Sequence, residues 1–448
     1  MATTTMTQST TETVEMVEPQ PVKASSVPDP QPQPVDSQSG KQMDSKMTIC
    51  VMSAGLAFFV SGVSDGSIGT IIPYAIREYD INTTTMSSVF GANFVGWLAA
   101  AATNAYLSEY LDLGAMLALG AVMQILGSAL RTFMAPFAFW ACTFFFVSLG
   151  QAYQDTHCNT FVATVKSPHR WLGFIHAMYA LGCLVSPFAS NAVASASNPS
   201  RWNLFYVVPL GIGVANLGLA LYAFWDTFRL KNRSGPPSAD QESKSPGANK
   251  MMKKALSIPG VWVLSIFYFF YLGAVLTASG WIVEYLVVVR DGDLAKMGYV
   301  PAGYNGGTFL GRLLLPEITH RWGERRMVFS YCVLCLAFQL TFWLVPNIIS
   351  ASIAITFFGF FSGPLFAAGM ALGAKIFPPE SHSTALAFVF VLAQMGGSFF
   401  PIVTGVIAAS KGVAILQPML VGLIAATGIA WLLVPRPKSV GNPALHQE

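Results

Sequence analysis

Twelve apolar stretches, each about the length needed to cross a lipid bilayer as a helix, follow one another along this chain. They run over residues 49–74, 87–107, 113–132, 137–164, 170–195, 203–226, 260–289, 297–318, 327–346, 350–376, 382–409 and 413–434. A soluble core has no use for twelve such segments in succession, because its helices are shorter and keep one polar face. Composition agrees: 53% of the 448 residues are hydrophobic and 10% are charged, against about 25% charged in ordinary soluble proteins. The predicted fold is an all-α polytopic membrane protein. Phe228 to Lys254, polar and rich in Ser, Pro and Gly, has the composition of a linker and divides the spans six and six. The expected organisation is two pseudo-symmetric six-helix bundles, 48–227 and 257–435, around a central cavity, joined by a cytoplasmic linker over 228–256. Residues 1–47, rich in Thr, Ser, Pro and Gln, read as a disordered cytoplasmic tail without a cleavable signal peptide. The first span then serves as the insertion signal, and residues 436–448 form a second cytoplasmic tail.

Lys and Arg set the orientation. With a cytoplasmic N-terminus the inside segments hold 17 of them. The outside segments hold six: Arg77, Arg131, Arg201, Arg290, Lys296 and Lys411. That bias places both termini in the cytoplasm, and the plasma membrane is the expected location. The sequon Asn82-Thr83-Thr84 lies in the first outside loop and makes Asn82 a candidate glycosylation site. A second sequon, at Asn232, falls in the cytoplasmic linker and is expected to stay unmodified. The net charge of +3 gives no reason to expect nucleic acid as a partner. The lipid bilayer and a small-molecule substrate, with protons, are the expected partners, and the chain is expected to act as a monomer.

Polar residues inside the spans carry the functional signal. In Leu149 to Thr164, Gln151, Asp155 and Asn159 recur every four residues and share one helical face. Apolar runs on both sides put the Asp155 carboxylate well inside the bilayer, where a charge costs at least ~2.5 kcal/mol and is functional by default. Asp65 lies in the small-residue stretch Ser61 to Gly69 of the first span, which admits water or a solute beside it. Burial favours the protonated form of a carboxyl group, so Asp155 and Asp65 are the candidate proton-coupling residues; the alternative for each is a hydrogen bond between helices. His157 is offset from the Asp155 face and reads as an interhelical contact, whereas His176 and Tyr179 are placed at the cavity. Glu284 is either a cavity-mouth charge or a side chain that snorkels to the interface. Asn93 and Trp97, Tyr304 and Asn305, Trp281 and Gln394 complete the candidate cavity. Rings and amides in this mixture suit a neutral or hydroxylated organic solute. With no Arg deep in the first six spans, a dicarboxylate or phosphate is disfavoured. Cys332-Val-Leu-Cys335 has metal or redox spacing but sits among apolar residues and reads as packing; neither metal nor cofactor is expected.

Gly311-Arg312, Glu317, Arg321, Gly323 and Arg325-Arg326, between spans eight and nine, resemble the gating signature of the major facilitator superfamily. In that resemblance Gly is at the bend of a short turn, and Glu317 and Arg312 help to lock the cytoplasmic side. The equivalent between spans two and three is degraded, with Glu109 and Gly114 remaining. Asp65, together with Asp155-Thr-His-Cys-Asn159, resembles the fucose–proton symporter-like branch, whose fourth helix pairs an acidic residue with Asn four positions later. Thr160 replaces the Pro that usually follows. Trp281 is similar to fungal members of the branch, although Val275 stands where those often have an acid. Gly173, Gly182, Ser186-Pro187 and Ser190 have the spacing of the superfamily's antiporter motif. Gly182 to Pro187 and Gly396 to Pro401 echo each other, as duplicated transporter halves do.

The resemblance implies a secondary active transporter, coupled to protons, with a sugar-like solute; export of a hydrophobic metabolite or drug is the alternative. A membrane enzyme finds no Ser-His-Asp array, metal cluster or phosphate loop in the chain. A non-transporting sensor would be expected to carry a longer soluble tail than the 14 residues after Val434.

Overall fold

The computed structural model describes residues 45–228, 253–378 and 382–435. Most of the expected linker, with Asn232, most of the expected N-terminal tail and all of residues 436–448 lie outside the described residues. Helices account for nearly all of the remainder, and there is no strand among the described residues. In chain order they are α1 Ser45–Gly66, α2 Ile68–Glu78, α3 Thr83–Tyr110, α4 Leu113–Arg131, α5 Phe137–Val162, α6 Pro168–Ser195 and α7 Val207–Ala223. After the linker come α8 Pro259–Val288, the short α9 Leu294–Met297, α10 Val300–Trp322, α11 Glu324–Leu344, α12 Ile348–Ser362, α13 Leu365–Ile376, α14 His382–Lys411 and α15 Leu416–Leu433.

Two of the twelve spans are broken. The first divides at Ser67, two residues past Asp65, into α1 and α2. The tenth divides at Gly363-Pro364 into α12 and α13, where Pro has no N–H to continue the helix. Among the described residues, nine helices are long and apolar enough to cross a membrane by length and composition. Those below that level are α3, α5 and α10. They hold Asn93 and Trp97, then Gln151, Asp155 and Asn159, then Tyr304, Asn305 and Arg312. The outer surface is apolar, with Leu98, Val214, Leu313, Leu344 and Ile349 exposed, as a lipid-facing surface requires.

Glycines let the helices approach closely, and the same pairing recurs in each half. Gly62 and Gly66 of α1 lie against the backbone of Tyr179 and Cys183 in α6, and Gly182 of α6 lies against Phe59 and Val63. In the second half, Gly396 of α14 lies on the Phe269 backbone of α8, and Gly273 of α8 lies on Phe400. At each of these contacts a Cβ has no room, so glycine is required for the approach. Buried amides add polar glue. Gln154 of α5 receives Gln124 of α4 at 2.8 Å and donates to Leu117 O at 2.9 Å. Gln339 of α11 donates to Gln417 of α15. Such bonds are worth roughly 0.6 kcal/mol each in a membrane protein.

The halves meet along α2 and α8, α3 and α14, and α6 and α10. Hydrogen bonds across this seam cluster at the end away from residues 45 and 435, here termed the far end. Thr70 donates to Gly298 O, Asn191 to Ala295 O and Thr83 to Gly405 O.

Candidate functional site

Asp65 is placed by the glycine-lined contact of α1 with α6 and by the break at Ser67, whose hydroxyl donates to Ser64 O at 2.7 Å. Its carboxylate is half-buried and fully engaged. Gln151 of α5 donates to Oδ1 at 3.0 Å, and Tyr179 of α6 donates to Oδ2 at 3.0 Å. Gln151 also donates to Ser61 O, so one amide ties α5 to both the side chain and the backbone of α1. Asp155 lies one helical turn beyond Gln151 on the same face and within electrostatic reach of Asp65. Its Oδ1 is buried without a hydrogen-bond partner. Asn159 donates back to Asp155 O rather than to the carboxylate. The structure thus brings together Asp65, Gln151, Asp155 and Tyr179 from three helices, one carboxylate saturated and its neighbour with an unmet acceptor.

The other cavity candidates divide by burial. Asn93, Trp97, Asn159, His176 and Gln394 are half-buried. Trp97 meets Phe390 across the seam edge-on at 6.0 Å, and His176 meets Phe58 edge-on at 5.2 Å. Trp281, Tyr304 and Asn305 are buried with their polar atoms used inside the fold. The Trp281 indole donates to Pro401 O at 3.0 Å, Tyr304 to Val275 O at 3.4 Å, and Asn305 to Cys183 O at 2.9 Å. They tie helices together, and Asn305 does so across the seam. His157 contacts Asn104 of α3 at 2.9 Å, in keeping with its offset from the Asp155 face.

Around the gating sequence, Gly323 forms the bend between α10 and α11 at φ +90°, a conformation natural to glycine. Gly311 lies against the Phe360 backbone of α12. Glu317 pairs with Arg321 at 2.7 Å on an exposed helical face. Arg325 donates to Val434 O and Leu432 O, capping α15. Arg326 is exposed. Arg312 is half-buried.

Two expectations are corrected. Glu284 neither opens onto a cavity mouth nor snorkels: its side chain is 6% exposed and pairs with Arg77 of α2 at 2.9 Å. A cation supplied by the other half makes its burial tolerable. Arg131, counted with the outside loops, is 1% exposed. Its Nε donates to Thr143 at 2.9 Å, and its guanidinium lies 3.5 Å from the Phe144 ring centroid. It is a buried Arg at the end of the third span, within electrostatic reach of Asp65. The Phe144 and Tyr206 rings against it belong to an aromatic cluster with Trp140 and Trp202, which the fold assembles from two distant segments and which no local sequence pattern gives.

Asn82 is exposed and caps α3, accepting from Thr85 N at 2.9 Å through Oδ1; Nδ2, the atom a glycan would occupy, is not part of that bond. Cys332 and Cys335 are buried in the second-half core. A groove of about 500 Å³ between α11 and α12 is lined by Phe338, Asn347 and Ile353 among others and lies remote from both carboxylates.

Comparisons with known proteins agree with this architecture. The sequence profile of the Major Facilitator Superfamily matches residues 54–358. A Saccharomyces cerevisiae protein, Bypass of stop codon protein 6, is 24% identical over 417 residues, covering 86% of this chain and 82% of the yeast one. Among solved structures, an inward-facing, unoccupied bacterial homologue of the human lysosomal transporter Spinster is similar with a TM-score of 0.66 at 14% identity. That match covers 88% of this chain and 95% of the other. A point variant of the E. coli fucose:proton symporter FucP is similar with a TM-score of 0.60 at 17% identity, over 87% of this chain and all of the other (100%).

Proposed function

This chain belongs to the Major Facilitator Superfamily, and on that premise we propose that it moves a small organic solute by alternating access, coupled to protons. The observation that carries this proposal is the Asp155 carboxylate, whose Oδ1 is buried without a partner beside the saturated Asp65. A carboxylate held that way inside a membrane is costly when charged. Protonation neutralises it, and rocking of one half against the other is favoured in the neutral form. Asp155 is assigned the coupling proton, and Asp65 positions Tyr179 and Gln151. The likeness to the fucose:proton symporter supports a hydroxylated, sugar-like solute. Export of a hydrophobic metabolite is the second reading, supported by the close approach of Gly182 to α1 and the bond from Ser186 to Val63 O at the antiporter-like spacing.

The remaining parts of the proposal concern the moving units, orientation and location. Residues 48–227 and 257–435 are the two moving bundles, both termini face the cytoplasm, and the protein acts as a monomer in the plasma membrane. The far end is then the outer side, and its cross-half bonds fit a closed outer gate.

The test is proton flux into liposomes holding the wild type or Asp155→Asn, challenged with sugars, sugar derivatives and hydrophobic metabolites. Solute-driven proton movement in the wild type, lost in the variant, is the expected result. Normal coupling by Asp155→Asn would assign Asp155 a purely structural role and defeat the coupling proposal.

A further inference from the structure

Among the described residues, five buried side-chain nitrogens bond to no acceptor in the protein. Two stand alone: Arg290 Nε, whose group is spent on the Phe342 and Trp343 carbonyls, and Gln417 Nε2, whose amide already accepts from Gln339. The other three, Arg131 Nη2, Trp140 Nε1 and Trp202 Nε1, fall in one cluster of fully buried side chains. It forms at the far end of the first half, where α4 ends, α5 begins and the 3-10 helix Trp202–Tyr206 leads into α7. Arg131 Cζ lies 3.5 Å from the Phe144 ring centroid, and Phe144 lies 5.0 Å from Trp140. Trp140 is 5.4 Å from Trp202, Trp202 is 6.4 Å from Tyr206, and Tyr206 is 5.3 Å from Arg131 Cζ again. The guanidinium and four rings thus close on themselves.

This cluster is rich in donors and poor in acceptors. Arg131 Nε donates to Thr143 Oγ1 at 2.9 Å, and Thr143 spends its own proton on Trp140 O at 2.6 Å. Trp140 Nε1 lies towards the Tyr206 hydroxyl without completing a hydrogen bond to it. The Phe144 face steadies the cation electrostatically, but it does not replace an acceptor or a counter-charge. Among the described residues no carboxylate pairs with Arg131. A buried unpaired charge and buried unmet donors are both costly, and one group relieves both if it accepts hydrogen bonds and is negative. A water molecule accepts about two hydrogen bonds and carries no charge, so the guanidinium would stay uncompensated. A halide accepts from several N–H groups at once and cancels the charge. A doubly charged oxyanion fits less well, because Arg131 is the one cation in the ring.

We propose that this ring binds a single halide ion, chloride under physiological conditions, held by the Arg131 guanidinium and the Trp140 and Trp202 indole N–H groups. The ion joins the end of α4, the start of α5 and the turn before α7, so it braces the first half at the far end. It needs neither the Asp155 proton nor a transported solute, and the site stands whether or not the transporter reading does. A ligand bound only by the folded state stabilises it by mass action, so the stability of this half depends on halide concentration.

The experiment uses the full chain in lipid nanodiscs, prepared in potassium gluconate. Iodide is titrated at constant ionic strength while indole fluorescence is read, because a heavy halide against Trp140 and Trp202 quenches both. The expected quenching has a saturable part, above the linear collisional quenching of exposed Trp225 and Trp322, and chloride reverses that part. Exchanging gluconate for chloride should also raise the unfolding midpoint, with the logarithmic dependence of a bound ligand. Trp140→Phe and Trp202→Phe each keep an aromatic ring and remove one donor. Each should weaken chloride by roughly two- to tenfold, the value of a neutral hydrogen bond. Arg131→Gln should weaken it by roughly ten- to a hundredfold, the value of a charged one; where that variant does not fold, the two indole variants carry the test. Trp322→Phe should leave the saturable part unchanged. Linear quenching alone, a midpoint indifferent to the exchange of gluconate for chloride, or an equal rise with sulfate overturns the proposal. Unchanged chloride affinity in both indole variants overturns it as well.

Discussion

Replacing Glu284 with Gln removes one charge from the ion pair that joins α2 to α8 at the far end. The Glu284 side chain is 6% exposed and Arg77 is 40% exposed, with 2.9 Å between Oε2 and Nη1. A fully exposed pair is worth about 0.2–1 kcal/mol, and a hydrogen bond to a charged group about 1.5–3 kcal/mol. With one partner buried and the other wet, an intermediate value of about 1–2 kcal/mol is appropriate. Because the pair spans the two halves, its loss falls on the balance between far-end-closed and far-end-open states. The open population should rise by roughly 5- to 30-fold. Thr277 of α8 is fully buried in the closed state and its hydroxyl bonds to nothing, so Thr277→Cys is a mild reporter. The rate of its modification by a membrane-impermeant thiol reagent, applied from the far side, should rise by that factor in Glu284→Gln. Arg77→Gln should act in the same direction, and the charge exchange Arg77→Glu with Glu284→Arg should restore slow labelling. Labelling rates within about twofold of the parent in both single variants, against the 5- to 30-fold rise worked out above, would refute the assignment of closure to this pair.

Other positions offer sharper or simpler readouts. Arg131→Ala leaves a void among Phe144, Tyr206 and Thr143 and strips a buried hydrogen bond, so the unfolding transition should fall by at least ~2 kcal/mol; a variant as stable as the parent would show that the enclosure carries no energy. Gly182→Leu sets a side chain against the backbone of Phe59 and Val63, and size-exclusion chromatography should show loss of monodisperse protein. Asn82→Gln should remove both the N-cap, at about 1 kcal/mol, and any glycan-dependent gel shift. Thr84→Ala should remove the shift alone, since the cap uses Asn82 Oδ1 and Thr85 N; a shift that survives Thr84→Ala would exclude Asn82 as the acceptor.

The spans were legible because a bilayer imposes a length and an apolar composition that no folding partner can relax. Even α3, α5 and α10, the most polar of them, stood out between turn-forming residues and charged ends. Local periodicity also placed Gln151, Asp155 and Asn159 on one face. What it could not supply was their partners. Asp65 and Gln151 are 86 residues apart, and Arg77 and Glu284 are 207 apart, so their meeting depends on how spans pack rather than on any local pattern. Arg131 shows the same limit at a span's end. Hydropathy places it at the edge of the membrane, but whether it turns to solvent or into the bundle is decided by Phe144 and Tyr206 on other helices.

The polar side chains of the site separate into two tasks that residue type alone does not distinguish. Trp281, Tyr304 and Asn305 look in sequence like cavity residues, yet each donates its proton to a backbone carbonyl on another helix. An unsatisfied donor would be costly at membrane depth, so these bonds fix helix positions. Asp155 inverts that pattern. Its Oδ1 is buried and accepts no hydrogen bond, although Gln151, one turn away on the same helix, is bonded to Asp65. A carboxylate left unmet at membrane depth is costly when charged, and a bound proton removes that cost without any further partner. Asp65, held by Gln151 and Tyr179, has its negative charge met by donors instead, so the two carboxylates are set up for different protonation states.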